Sequence, residues 1–446
     1  MGQVVYAGAH LGYCPAQVPL GGGAQVGIRL IERWAATGRF PVTVLGSGPQ
    51  PPLPPGPHVA YRQIPWQVPG HRGPITDLTV SGYARFSRQF ERGVTEFLRR
   101  AAQAHDPRRV CVVHNDICEA GDFAAIARLG YSQVAIFHVD VVDYAARIYL
   151  RGAVSAAFLA RAFRGVARAR LTPLLPDVAR LILEKQQACA RHCQLLVVPS
   201  PAMAAVLQSA YPWRTQRDVA VVPWGIVSDP HPLEEDVRRA EEALRARYQV
   251  EDDQPVLLTL SRVAPEKGQD LLLAALRRWE RAGGPAVRAF ICGAPAFIHG
   301  RSYWARLHRL ARRLRRVRVD FPGHVTGAEK AAFFRLADLY VFPSRHESYG
   351  LTLGEALAAG LPVLTTAHRS AGQLVRPQIG RVVPPTPQGL LDGLCELLTG
   401  DADLEQMGRA ARAFARHRPF PAAADQLADA IRGLLDGQPP AAAPIT

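Results

Sequence analysis

The chain has 446 residues, 48% hydrophobic and 20% charged. At roughly 100–200 residues per domain this length suits two domains with full apolar cores, and the composition excludes a mostly disordered chain. The net charge of +15 comes from 53 basic and 38 acidic residues, which favours phosphate-bearing ligands, anionic membranes or nucleic acid, while seven sparse cysteines exclude a disulfide-stapled fold.

Residues 3–8 read as a strand, followed by a loop with Gly21-Gly22-Gly23, a helix over 24–36 and a second strand at 42–45. A proline-rich loop covers 47–57. Short, continuous apolar runs at 110–113, 134–137 and 195–198 suit buried parallel strands, and 220–223 ends this series. A polar, proline-bearing stretch at 228–236 separates it from a second series at 256–260, 289–292, 317–321, 339–342 and 362–365. Strands alternating with helical patterns imply βαβ units and a parallel sheet in each half. The expected fold class is α/β, with a boundary near 223–235 and a disordered Pro/Ala-rich tail at 438–446.

No apolar window reads as a membrane span, and the first residues lack the basic and apolar regions of a signal peptide. Cys189 and Cys193 are four apart on an expected helix and read as buried thiols rather than a metal site. The expected compartment is therefore the cytoplasm. Residues 141–190 exceed a simple βα connection and interleave Tyr149, Leu150, Val154, Phe158, Leu159 and Phe163 with Arg147, Arg151, Arg161, Arg164 and Arg168. This pattern fits an interfacial helix on anionic lipid, which would put the chain on the inner face of the membrane, or a surface helix with a solvated basic face.

The richest stretch is PSRHESYGLTLGEALAAG at 343–360, where Glu347 and Glu355 are eight apart with Gly350 and Leu351 between them. A helix beginning near Thr352 would put Glu355 in its first turn, where unsatisfied N–H groups favour anions. Such a site can hold phosphate with backbone N–H groups while a carboxylate accepts from a sugar diol. Alternatively, both glutamates only complement the helix dipole. Arg262 and Lys267 follow the strand 256–260, at the edge where open α/β sheets bind ligands. Two cations there suit a diphosphate, unless Lys267 merely pairs with Glu266. Gly21-Gly22-Gly23 is not the G-x-G-x-x-G fingerprint but permits close backbone approach. His138, just past the strand 134–137, could donate to a sugar hydroxyl or be structural. Asp401-Ala402-Asp403 reads as a helix cap rather than a metal string. The cluster from Arg312 to Arg318 lacks interleaved aromatics, so it reads as a solvated helix face, not a nucleic-acid site.

Taken jointly, these residues resemble a family 4-type, group 1 retaining glycosyltransferase of the GT-B fold. LLTLSRVAPEKG resembles the family's R-x4-K diphosphate loop, and PSRHESYGLTLGEALAAGLPV its E-x7-E signature. PGHVTGAEKAAFFRLADLYVFPS resembles the run before that signature, VVPWGI the interdomain V-P-N-G-V, LLVVPS the strand before it, and GGGAQVG the N-terminal glycine loop. Trp224 stands in place of the usual Asn, Gln373 where an acidic residue is common, and 141–190 matches nothing in the family.

The resemblance implies two Rossmann-like domains facing across a cleft: 1–224 for the acceptor, 225–420 for the nucleotide sugar, and a helix at 421–437 crossing back. It implies that Arg262 and Lys267 hold the diphosphate in place of a metal, Glu355 the ribose, and Glu347 and His138 the transferred sugar. Gly22 and Gly23, with Gly350 and Leu351, would bring backbone close to the donor. No cofactor beyond the nucleotide sugar is expected. The partners are that donor and an unidentified acceptor, lipid-linked, polysaccharide or small, with peripheral membrane contact but no nucleic acid. A nucleotide-sugar epimerase or hydrolase on the same fold, and a non-enzymatic basic binding protein, are the alternatives.

Overall fold

The computed structural model describes residues 2–14, 18, 20–54, 56–71, 73, 75–148, 150, 152–226, 232–296 and 300–438. The chain divides into two compact units, Met1–Trp224 with Pro421–Thr446, and Gly225–Phe420.

Seven parallel strands form the first unit's sheet: β1 (Gln3–Ala7), β2 (Val42–Gly46), β3 (Val59–Gln63), β4 (Val110–His114), β5 (Ser132–Ile136), β6 (Leu195–Val198) and β7 (Val219–Val221). Their order is β3-β2-β1-β4-β5-β6-β7, so the winding reverses between β1 and β4. Central strands such as VCVVH and LLVV are buried along their whole length, because helices cover both faces. The helix Gly22–Ala36 buries Gly27, Leu30, Ile31 and Trp34, one stripe at i, i+3, i+4 and i+7. Helix Phe420–Leu435 buries Ala424, Leu427, Ala428 and Ile431 in the same rhythm. Trp34 Nε1 donates to the Ala424 carbonyl at 2.9 Å, and Arg33 grips both oxygens of Asp425 at 3.1 and 2.7 Å.

The second unit has six parallel strands: β8 (Val256–Leu260), β9 (Arg288–Cys292), β10 (Arg318–Gly323), β11 (Leu339–Phe342), β12 (Val363–Thr366) and β13 (Gly380–Val383). Their order, β10-β9-β8-β11-β12-β13, reverses between β8 and β11. One core gathers Leu257, Leu272, Leu276, Trp279, Ile291, Val341 and Leu394.

The apolar runs miss two edge strands. β3 (VAYRQ) is largely solvent-facing, and β13 contains exposed Val382, so neither reads as a buried strand. β5 begins two residues before its expected start because polar Gln133 is buried there, paired with His114 and with the Phe123 carbonyl at 2.9 Å. Segment 141–190 is not one helix. It folds as Val141–Ile148, Ala156–Arg168, a short 3-10 turn Thr172–Leu174 and Asp177–His192; Tyr149 and Arg151 lie outside the described residues. Arg312, Arg313, Arg315 and Arg316 follow the helix Gly300–Ala311 in a turn, so they do not form a helix face; Glu280 accepts from the Arg315 and Arg316 amides. Asp403 caps the helix Leu404–Arg416 by accepting from Gln406 N at 2.8 Å. Cys189 and Cys193 are buried, with sulfurs 3.8 Å apart. Residues 227–231 of the expected boundary and 439–446 of the expected tail lie outside the described residues. Among the described residues no helix is long and apolar enough to cross a membrane.

Candidate active site

In open α/β sheets the loops leaving the strands diverge where the winding reverses, and ligands bind there. In the second unit that place lies past β8 and β11. Arg262 and Lys267 follow β8, and Ser344 to Glu347 follow β11. Lys267 Nζ donates to Glu347 Oε2 at 2.6 Å, while the Ser348 amide donates to Oε1 at 3.1 Å. Lys267 therefore meets Glu347 rather than Glu266; the Glu266 carbonyl instead accepts from the Arg345 amide at 2.8 Å. Burial opposes ionisation of Glu347, but the Lys267 ammonium, assisted by His368 and His346, outweighs it and lowers the carboxyl to about 2. His368 is itself held down to about 4, chiefly by burial and against the pull of Glu347.

Arg345 ties the two loops together. Its guanidinium grips both oxygens of Asp270 at 2.7 and 3.0 Å and donates to the Pro265 carbonyl at 2.8 Å. Tyr303 also donates to Asp270 Oδ1, at 2.6 Å. A fork of this kind fixes orientation as well as distance.

The helix after Glu347 is Leu351–Ala359, one residue earlier than expected. Gly350 caps it at φ +90°, a conformation that side chains with a Cβ rarely adopt. This start puts Glu355 fifth in the helix, beyond its first turn. Its carboxylate instead meets the ammonium of Lys330, 3.2 Å from Oε1. Leu351 is the first helical residue, so its N–H is one of the helix's unsatisfied donors.

The first unit's reversal lies past β1 and β4, and a second polar cluster stands there. Asn115 Oδ1 accepts from Tyr6 OH at 2.6 Å and meets His138 Nε2 at 3.2 Å; Asn115 Nδ2 donates to Gly23 O at 3.3 Å. An amide oxygen only accepts, so His138 carries its proton on Nε2 and Nδ1 is the acceptor nitrogen. The one N–H of the neutral ring, which was expected to donate to a sugar hydroxyl, thus already goes to Asn115. Burial pushes His138 down to about 3, so it is neutral at any ordinary pH. Trp224, at the position where Asn is usual, is 1% exposed and lies 5.7 Å from the His138 ring. A Cβ on Gly23 would sit 2.8 Å from His138 Cδ2, so glycine there leaves room for the imidazole. Asp116, Glu119, His10 and Tyr83 complete the cluster: Tyr83 donates to Glu119 and His10 Nε2 lies 3.8 Å from it. Burial, then the Glu119 charge, raises Asp116 to about 7, whereas His10 and Tyr83 outweigh burial at Glu119 and lower it.

Among the expected residues, the second unit holds Arg262, Lys267, Glu347, Gly350, Leu351 and Glu355, and the first holds Gly22, Gly23 and His138. Asn115, Asp116, Glu119, Lys330, Arg345 and His368 went unnoticed in the sequence. Lys330 had a signal, being one of three lysines. Asn115 and Asp116 had none, because strand order decides which strand ends meet.

Residues 240–414 match the model of the family described as "Glycosyl transferases group 1". The chain carries a group 1 glycosyltransferase domain. It is similar to a D-inositol 3-phosphate glycosyltransferase of Segniliparus rotundus, 31% identical over 44% of this chain and 43% of the relative. It is also similar to a GDP-mannose-dependent alpha-(1-6)-phosphatidylinositol monomannoside mannosyltransferase of Mycobacterium tuberculosis, 32% identical over 43% of this chain and 50% of the relative. The match thus spans about half the length of these curated relatives. Sucrose-phosphate synthase of Thermosynechococcus elongatus has a similar structure, with a TM-score of 0.66 at 19% identity, over 98% of this chain and 100% of that one. Both parallel-sheet units of this chain are thereby of the GT-B fold type.

Proposed function

We propose that the chain transfers a sugar from a nucleoside diphosphate sugar to an acceptor hydroxyl, with retention and without a metal. The observation that carries this is the Lys267–Glu347 pair at the reversal point of the second sheet, in the same loop system as Arg262. Arg262 and Lys267 offer a fork and a point charge to a diphosphate, and they stabilise the leaving group as charge develops. Glu347, ionised well below neutral pH, accepts from the transferred sugar's hydroxyls. Glu355 accepts from the ribose, and the backbone of Gly350 and Leu351 opens toward the donor. The GDP-mannose named for the mycobacterial relative supports a nucleotide-sugar donor.

The first unit takes the acceptor. Neutral His138 meets the sugar, the backbone at Gly22 and Gly23 approaches the donor, and the Asp116–Glu119 cluster supplies carboxyl oxygens to hydroxyls. A peripheral membrane contact belongs to the same reading. Leu150, Phe158, Leu171 and Leu174 are exposed, Leu174 to 78%, and the exposed Arg161, Arg168 and Arg170 lie in the same stretch of chain as the last three. Exposed apolar side chains interleaved along the chain with arginines suit an anionic lipid surface.

The test is calorimetric binding of UDP, GDP and ADP to the chain and to Arg262→Ala. The expected result is one nucleotide bound well and weakened at least about tenfold by the variant, as for loss of a charged hydrogen bond. Binding of none, or an unaffected variant, removes the donor assignment. Nucleotide release without acceptor would favour a hydrolase or epimerase.

A further inference from the structure

A donor bound as proposed engages two loops at once, with Lys267 of the β8 loop at its diphosphate and Glu347 of the β11 loop at its sugar. The Lys267–Glu347 contact joins these loops directly. A diphosphate would draw the same ammonium away from Glu347, because it carries more negative charge than a carboxylate. The register of the two loops then depends on contacts elsewhere.

Arg345 supplies them. It lies two residues before Glu347, and its side chain reaches both flanks of Lys267. It donates to the Pro265 carbonyl at 2.8 Å on one flank, and to both oxygens of Asp270 at 2.7 and 3.0 Å on the other. Asp270 is buried and is anchored in turn. Tyr303 OH donates to its Oδ1 at 2.6 Å, its own amide donates to Tyr303 OH at 3.0 Å, and Arg306 lies 3.4 Å from Oδ2. Tyr303 and Arg306 belong to the helix Gly300–Ala311, and Tyr303 is part of the second unit's core. The fork therefore fastens both loops to the packed interior, with fixed orientation as well as distance.

We infer that Arg345 and Asp270 are a positioning pair for the donor: they hold the β8 and β11 loops in one register, so that Lys267 and Glu347 keep their places when a diphosphate takes the ammonium. This rests on the donor-binding reading of the second unit.

The experiment measures calorimetric affinities for UDP, GDP and ADP, and for UMP, GMP and AMP. The proteins are the full chain, Arg345→Lys, Arg345→Gln, Asp270→Asn and Lys267→Met, with thermal midpoints measured alongside. The parent chain should prefer the diphosphate of its base by about tenfold or more, the size of a hydrogen bond between charged groups. Arg345→Lys keeps the charge but not the fork, and it should lose most of that preference, as should Arg345→Gln. Asp270→Asn has the deciding sign. It removes a negative charge from the neighbourhood of Lys267, so on charge alone, or if Arg345 itself gripped the phosphates, the preference would hold or rise. A positioning pair makes it fall. A preference that holds or rises in Asp270→Asn, or holds in Arg345→Lys, overturns the inference; merely structural residues would lower the midpoint and leave the ratio untouched. If Arg345→Gln fails to fold, the other two variants decide. In both, the Arg345 amide and the Ser344 hydroxyl still have the Glu266 carbonyl to donate to, at 2.8 and 3.2 Å in the parent. If Lys267→Met abolishes the preference while the Arg345 and Asp270 variants retain it, the donor reading stands and this inference falls. If Lys267→Met retains it, or the parent shows none, the donor reading falls and this inference with it.

Discussion

Glu347 and Asp116 are both half-buried carboxyls, and their surroundings push them in opposite directions. Glu347 faces an ammonium and two imidazoles and is lowered to about 2; Asp116 faces another carboxyl and is raised to about 7. For Asp116 the folded value lies above the unfolded value of 3.8. Its neutral form is the one that folding favours, so its contribution to stability is complete below about pH 3.8 and is lost as pH rises through about 7. Glu119 has the opposite sign, but its window lies below its unfolded value of 4.5. His138 and His368, held below their unfolded value of 6.5, add stability as pH rises to 6.5, so Asp116 is read as a difference: the thermal midpoint of the parent chain relative to that of Asp116→Asn should fall from pH 5 to 7. Parallel curves would show that Asp116 ionises normally.

At the scale of elements, the helices Gly22–Ala36 and Phe420–Leu435 are fastened by two kinds of contact with different energies. Trp34 is fully buried and donates to Ala424 O, whereas the Arg33–Asp425 pair is half-exposed. Trp34→Ala should cost about 3–5 kcal/mol, through the cavity and the orphaned carbonyl. Arg33→Ala should cost under about 1 kcal/mol, because water already screens the pair. Denaturant unfolding of both variants would measure the difference; equal losses would mean that the helix is held by its ion pairs. The same contrast explains which strands were legible. β4, β6, β8 and β11 are buried on both faces and read as apolar runs. β3 and β13 lie at sheet edges, where one strand neighbour and partial solvation remove the pattern.

At the scale of the whole molecule, the charge of +15 is carried almost entirely by arginine, whose guanidinium is weakly hydrated and accompanies apolar side chains well. The exposed set Phe158, Leu171 and Leu174 with Arg161, Arg168 and Arg170 gives that charge a place to act. The chain should sediment with vesicles containing anionic phosphatidylglycerol and not with pure phosphatidylcholine. Phe158→Ser with Leu174→Ser should release it with little effect on folding, since both side chains already face water. Equal sedimentation of parent and variant would assign the binding to charge elsewhere on the surface.

The sequence by itself determined the alternation of strands and helices, the restart of the series in mid-chain, and the residue types of the loops past β8 and β11, because these depend on local periodicity and on short-range spacing. The pairing of Lys267 with Glu347, 80 positions apart, was decided by tertiary structure alone. So were the meeting of Lys330 with Glu355, the Nε2 proton of His138 set by Asn115, and the gathering of His10, Asp116 and Glu119. Each depends on which strands become neighbours at the reversal of a sheet, and neighbour choice follows from packing both faces of that sheet at once. The neighbouring charges that separate Asp116 from Glu347, a carboxylate beside one and an ammonium beside the other, likewise meet only after the packing is complete.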